Sequence, residues 1–174
     1  MKDYNSYLMD IGDIKLGRPN LGDKTTVAAY RMMQYALKAV LEKDYGHKIA
    51  NDVFRKSGKV AGINFCKKNV DINLSFSKFI ARINELFFEY LIGVLRIEES
   101  DEEKMKFVIT ISEDLDCSGL PVLEVEVCDF DEGFFEGIFE YYTKDEFFAK
   151  EIDCWATGGR TCRFTVEKIN SNDE

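Results

Sequence analysis

The chain is poor in the residues on which most catalytic machinery depends. Its 174 residues include one histidine, one tryptophan and two prolines. No Ser-His-Asp relay can be built around the lone histidine, His47, in its charged segment. Directly after Gly46 it reads as an exposed helix-start residue, with haem ligation or general-base chemistry as the alternatives. No G-x-G-x-x-G opens a helix after a strand, and there is no phosphate loop, so nicotinamide and flavin chemistry has no visible cradle. Acidic residues are plentiful, but none pair in a recognisable catalytic motif. No run approaches the ~20 apolar residues of a membrane span. The start, MKDYNSYLMDIGD, carries acids where a signal peptide needs a basic opening and an apolar block. A cytoplasmic protein is expected. Positive charge is also short. A net charge of −9 argues against nucleic acid and anionic membranes as primary partners.

Hydrophobic residues make up 45% of the chain, enough for the core of one domain. Residues 1–22 read as an N-terminal extension, irregular or a short strand, ending in the loop Gly17–Gly22. A long helix follows, capped by Asp23 or Thr25, with Val27, Tyr30, Met33, Leu37, Val40 and Leu41 at helical spacing. Gly46 ends it. A second helix carries Ile49, Val53, Phe54, Val60, Ala61 and Phe65 on one face. Gly58 and Gly62, one turn apart, suit close packing against a neighbouring helix. A third runs from Ser75 to about Leu91. The period then changes to that of strands at Val94–Ile97 and Lys106–Ile111, joined by an acidic turn over 98–103. Val122–Phe130 reads as a strand and Glu132–Tyr142 as a short aromatic helix. Phe147–Trp155 and Cys162–Lys168 form a hairpin, and residues 170–174 form a polar tail. The fold class is α+β, with helices on one side of an antiparallel sheet.

In a reducing compartment the five cysteines are thiols or ligands rather than bridges. Four residues near the C-terminus group together: Cys128, Glu151, Cys154 and Cys162. Three thiolates and a carboxylate suit a tetrahedral divalent ion, zinc above all. A three-residue loop at Thr157-Gly158-Gly159 sets Cys154 across from Cys162, with Cβ atoms ~4.5–5.5 Å apart. A two-residue loop at the glycines puts the pair one residue out of register. Buried apolar thiols or a cross-strand disulfide remain open on this reading. The paired C-x2-C knuckles of common zinc sites are missing.

Val127-Cys128-Asp129-Phe130, Phe134-Phe135-Glu136-Gly137, Glu151-Ile152-Asp153-Cys154 and Gly158-Gly159 before Cys162-Arg163-Phe164 resemble the 4-vinyl-reductase family of small-molecule-binding domains. They are also similar to the sensory domains of phenol-responsive transcription activators. More distantly, the chain resembles subunits of the transport protein particle, a vesicle-tethering complex, and haem-based nitric oxide sensors. In the phenol sensors a cysteine, a glutamate and two further cysteines hold the metal, and Cys128, Glu151, Cys154 and Cys162 match that spacing. The resemblance therefore implies one zinc per chain in a closed, structural site. Lys150, Arg160 and Arg163 would offset its negative excess. The histidine and tryptophan that hold the phenol hydroxyl in those sensors fall nearest Phe79 and Phe107, neither of which donates a hydrogen bond.

The resemblance further implies an apolar pocket, with Phe79, Ile83, Phe107, Ile109, Phe134, Ile138 and Trp155 as its expected lining. An aromatic, isoprenoid or acyl ligand would suit it. A homodimer is expected through the first helix and the segment holding Tyr4, Tyr7, Leu8, Met9 and Ile11. The leading functional expectation is a stand-alone sensory domain that binds a small hydrophobic ligand beside a structural zinc and signals through a separate protein partner. A vinyl tetrapyrrole reductase and a trafficking-type assembly protein are the alternatives.

Overall fold

A computed structural model describes residues 8–10 and 12–169. Tyr4, Tyr7, Ile11 and the tail 170–174 lie outside the described residues. A single helical turn, α1 (Ile14–Gly17), stands where the sequence suggests loop or strand. Three longer helices follow: α2 (Val27–Tyr45), α3 (His47–Asn69) and α4 (Phe76–Glu89). Thr26 caps α2 by accepting the Ala29 N–H, and Gly46 at φ 86° breaks the chain between α2 and α3. His47 opens α3 in the exposed position the sequence suggests. It contacts only Glu42 and Asn51.

The second half holds strands β1 (Val94–Asp101) and β2 (Lys106–Ser112), helix α5 (Asp129–Thr143), and strands β3 (Phe147–Asp153) and β4 (Cys162–Lys168). The strands form one antiparallel sheet in the order β1-β2-β4-β3. The α+β class stands. Strand β1 runs on to Asp101 through a bulge between Ile97 and Glu99, so the turn is shorter than its acidic composition suggests. Val122–Phe130 is not a strand. The Leu123 and Glu124 N–H groups both donate to the Ala156 carbonyl, and the chain is helical from Asp129. Asp129, Asp131 and Glu132 place negative charge on the first turn of α5, where the helix dipole favours it.

Along β2, β3 and β4 one face is buried, carrying Phe107, Ile109, Ile111, Phe147, Ala149, Phe164 and Val166. Helix α5 lies on that face, with Phe135 on Phe164 and Phe139 on Phe147 at ring separations of 5.1 and 5.3 Å. On its other side α5 meets α3 almost backbone to backbone. A Cβ at Gly58 or Gly62 would collide with the carbonyl oxygens of Phe130 and Phe134. A Cβ at Gly133 or Gly137 would collide with those of Arg55 and Lys59. Two glycine pairs, each one turn apart, therefore interlock. Arg55 fastens the contact. It donates to Glu132 at 2.7 Å, to Glu136, and to the Ala149 carbonyl at 2.5 Å. Among the described residues no helix is long and apolar enough to cross a membrane.

Candidate metal centre

Four segments converge at the loop end of the β3–β4 hairpin. Cys154 follows β3, Cys162 opens β4, Cys128 caps α5, and Cys117 sits in the loop after β2. All four thiols are buried, and their sulfurs lie within 4.8 Å of one another. Cys128 Sγ is 3.8 Å from both Cys154 Sγ and Cys162 Sγ. A tetrahedron with ~2.3 Å zinc–sulfur bonds has edges of about 3.8 Å. Cys117 Sγ and Cys162 Sγ are closer, at 3.0 Å.

The hairpin reaches this arrangement by a different route from the three-residue loop. A bulge between Glu151 and Asp153 shifts the register, leaving Asp153 opposite Arg163. One residue further, that register sets Cys154 opposite Cys162. A 3-10 turn at Trp155–Thr157 and Gly158 at φ 99° then reverse the chain. The Thr157 hydroxyl accepts from the Cys154 N–H and donates to the Cys154 carbonyl, fixing the residue that carries the sulfur.

Glu151 lies beside the thiols and is almost fully buried. Its Oε2 accepts the Cys128 N–H at 3.3 Å, while its Oε1 is buried with no hydrogen-bond partner. Burial, reinforced by the charge on Cys154, pushes its carboxyl up to about 9. Cys117, Cys128 and Cys162 all hydrogen-bond toward Cys154 and hold its thiol below the usual range. Cys128 is pushed up by its bonds to Cys117, Cys154 and Cys162 and then by burial. The four thiols could hold a metal ion here, and Glu151 is not among the donors that fall within 4.8 Å of one another.

The sequence motif missed Cys117 and three carboxylates around it. Asp114 Oδ2 is 3.6 Å from Cys117 Sγ and 3.8 Å from Cys128 Sγ. Asp116 accepts from the Tyr30 hydroxyl and from Gln34. Asp131, in the first turn of α5, is 4% exposed. The run Asp114-Leu115-Asp116-Cys117 is the signal that could have found them. Lys150 and Arg163 do not offset the centre's charge. Lys150 pairs with Glu126 and Glu132, and Arg163 with Glu98 and Asp153. Arg31 ties down the 114–118 loop instead, donating to the Leu115 and Ser118 carbonyls at 2.8 Å.

The expected pocket residues divide. Phe79, Ile83, Phe107, Ile109 and Ile138 are packed core, each at most 1% exposed. Phe79 stacks on Tyr142 at 3.9 Å, and Phe107 packs on Phe76 and Phe139. Phe134 lines a cavity of about 240 Å³ with Met9, Tyr30, Ala61, Phe65 and Phe130, and Asp116 and Asp131 also border it. Trp155 borders a different depression of about 400 Å³, where Arg31, Glu113 and Arg160 mix with the exposed Val27 and Leu91. The smaller cavity has the more apolar walls.

Residues 107–168 match the 4-vinyl-reductase domain. That span covers β2 to β4 and takes in Cys117, Cys128, Glu151, Cys154 and Cys162. The chain resembles the 4-vinyl-reductase family in sequence and in fold. An uncharacterized protein of Methanocaldococcus jannaschii is 32% identical over 104 residues, spanning 60% of this chain and 62% of that relative's length. A vinyl-4-reductase family protein of the same organism superposes with a TM-score of 0.59 at 18% identity, over 98% of this chain and 97% of the other. The phenol-responsive sensory domain of the transcription activator PoxR, with phenol, gives 0.66 at 14% identity, over 86% and 77%. Trafficking protein particle complex subunit 3 of Naegleria fowleri, covalently bound to palmitic acid, gives 0.66 at 14% identity, over 83% and 95%. At these identities the three likenesses show the fold.

Proposed function

We propose that this chain is a small-molecule-binding sensory domain, organised by one structural zinc on Cys128, Glu151, Cys154 and Cys162. The observation that carries the reading is the joint placement of the thiol cluster and the apolar cavity at the two ends of one helical turn. Cys128 caps α5 at the cluster, and Phe130, Asp131 and Phe134 follow it along the cavity wall. A ligand that shifts this turn acts directly on the metal centre. The unpartnered Glu151 Oε1 favours that carboxylate as the fourth donor, since an oxygen buried alone costs free energy that an ion would recover. Four protein donors leave no position for a reacting water, which fits a structural role.

The ligand is a small apolar molecule. The cavity, about 240 Å³, falls below the ~300–1,000 Å³ usual for ligand pockets, so a single ring or a short chain suits it. The phenol carried by the PoxR domain and the palmitate of the trafficking subunit mark apolar ligands as the class found on this fold. The domain acts as a homodimer, through the α2 face, and passes its signal to a separate protein in the cytoplasm.

The test has two arms. Protein purified without added zinc is expected to contain one tightly held zinc per chain. Glu151→Gln should weaken it and Cys117→Ser should leave it in place. The reverse pattern would move the fourth position to Cys117. A thermal-shift screen of aromatic and short acyl compounds should give stabilising hits that Ala61→Phe, which fills the cavity, abolishes. Hits that survive Ala61→Phe would sink the assignment of the cavity.

A further inference from the structure

We propose that the centre holds a second divalent cation beside the first, on Asp114 and Asp131, with the Cys128 sulfur bridging the two ions. Asp114, Cys128 and Asp131 each bring one donor atom to within 4.8 Å of the others, a second donor group that shares only Cys128 with the four thiols. Two independent observations point to a ligand there. The first is Asp131 itself: the residue is 4% exposed, yet its Oδ2 is buried with no hydrogen-bond partner. The second is Asp114, whose two oxygens divide their work. Oδ1 accepts the Asp116 N–H at 2.8 Å, while Oδ2 faces thiol sulfurs, Cys117 at 3.6 Å and Cys128 at 3.8 Å. Among the described residues neither carboxylate pairs with a basic side chain. On α2, Lys38 is 2.6 Å from Asp129, and Arg31 reaches the Asp114 backbone carbonyl at 3.4 Å rather than its carboxylate.

The charge count leads the same way. The two donor sets together hold four thiols and three carboxyls, Glu151, Asp114 and Asp131 among them. With all seven ionised, one divalent ion offsets two of the seven charges, and two ions offset four. Buried acids without partners are costly, and a second cation removes that cost where Asp131 stands alone. Asp114 and Asp131 with the shared Cys128 give the second ion three protein donors. Two carboxylate oxygens and a thiolate suit zinc, cobalt(II) or iron(II) rather than calcium or magnesium, which take oxygen ligands. The loop that supplies Asp114 is already fixed. Arg31 and the Tyr35 hydroxyl bond its carbonyls, so the second site needs no ordering of the chain when the ion arrives.

The proposal rests on the first metal site, and the experiment separates the two. The full chain, stripped of metal under reducing conditions, is titrated with cobalt(II) and followed by visible absorption and by electron paramagnetic resonance. Two equivalents are expected. The first brings thiolate-to-cobalt charge-transfer bands and a high-spin signal. The second lowers that signal, because ions bridged through one sulfur couple magnetically. Asp131→Asn and, as a second variant, Asp114→Asn should each bind one equivalent and keep the full signal. Saturation of the unaltered chain at one equivalent overturns the second site and leaves the first. Two equivalents that survive both substitutions, or that never couple, also overturn it. A chain that binds no cobalt overturns both sites.

Discussion

At the residue scale, Cys154 is the pivot of the centre. It carries the sulfur most readily ionised, and its backbone is pinned on both sides by the Thr157 hydroxyl. Cys154→Ser is expected to drop zinc below one per chain. A metal held a hundredfold above its Kd stabilises by ~2.7 kcal/mol. In a domain of this size the loss corresponds to a fall in Tm of roughly 5–11 °C, read by calorimetry in matched buffer. An unchanged Tm with full zinc would exclude Cys154 as a ligand. Cys154 and Cys162 were legible before the fold because the hairpin sets them at a fixed distance along the chain, and Cys128 through the family spacing. Glu151 was legible through the family spacing. Cys117 and Asp114 were not, since the 114–117 loop meets Cys162 across 45 residues with no period to announce it. Asp131 hid in plain sight, one acid in the acidic first turn of a helix, where the helix dipole already accounts for negative charge.

At the element scale, the α3–α5 contact decides where Cys128 stands. Gly62→Leu would drive a side chain into the Phe134 and Ile138 backbone, where no flexible neighbour can yield. Overpacked cores lose about 1–3 kcal/mol, occasionally more, and this site belongs at the upper end. The midpoint of urea unfolding should fall with its slope unchanged. A shift no larger than that of an exposed-site control would refute the interlock. Glu136→Ala tests the clamp on the same contact. It strips Arg55 of a buried partner and also leaves the Ala149 N–H without its acceptor. A cost of about 3 kcal/mol is expected. The Gly58 and Gly62 pair was readable as a close-packing device. Its mates Gly133 and Gly137 follow only from the fold. The start of α5 was misread because Glu124 and Glu126 alternate with Leu123, Val125 and Val127 as a strand would. Tertiary bonds to the Ala156 carbonyl overrode that pattern.

At the scale of the whole molecule, α2 presents an apolar stripe outward. Met33, Leu37 and Val40 recur along one side of it and are 68%, 54% and 54% exposed, while its buried positions are Gln34 and Lys38. The sequence showed the stripe but not its direction, because periodicity fixes a face without saying what covers it. Light scattering should report a dimer for the unaltered chain and a 20.1 kDa monomer for Leu37→Glu. A monomer in both would remove α2 as an interface. The same helix holds the 114–118 loop through Arg31 and Tyr35, so association and the metal centre share a support. One consequence reaches into the order of events during folding. The thiols come from four separate stretches of chain, and no two adjacent elements can assemble the set alone. The polypeptide must therefore close loops of up to 45 residues before it can grip an ion firmly, and non-local closures are slow. Zinc should enter last and leave first. Its release to a strong chelator is then expected at a rate independent of chelator concentration, set by the protein's own opening. A loaded molecule would, by that fact, be one that had finished folding.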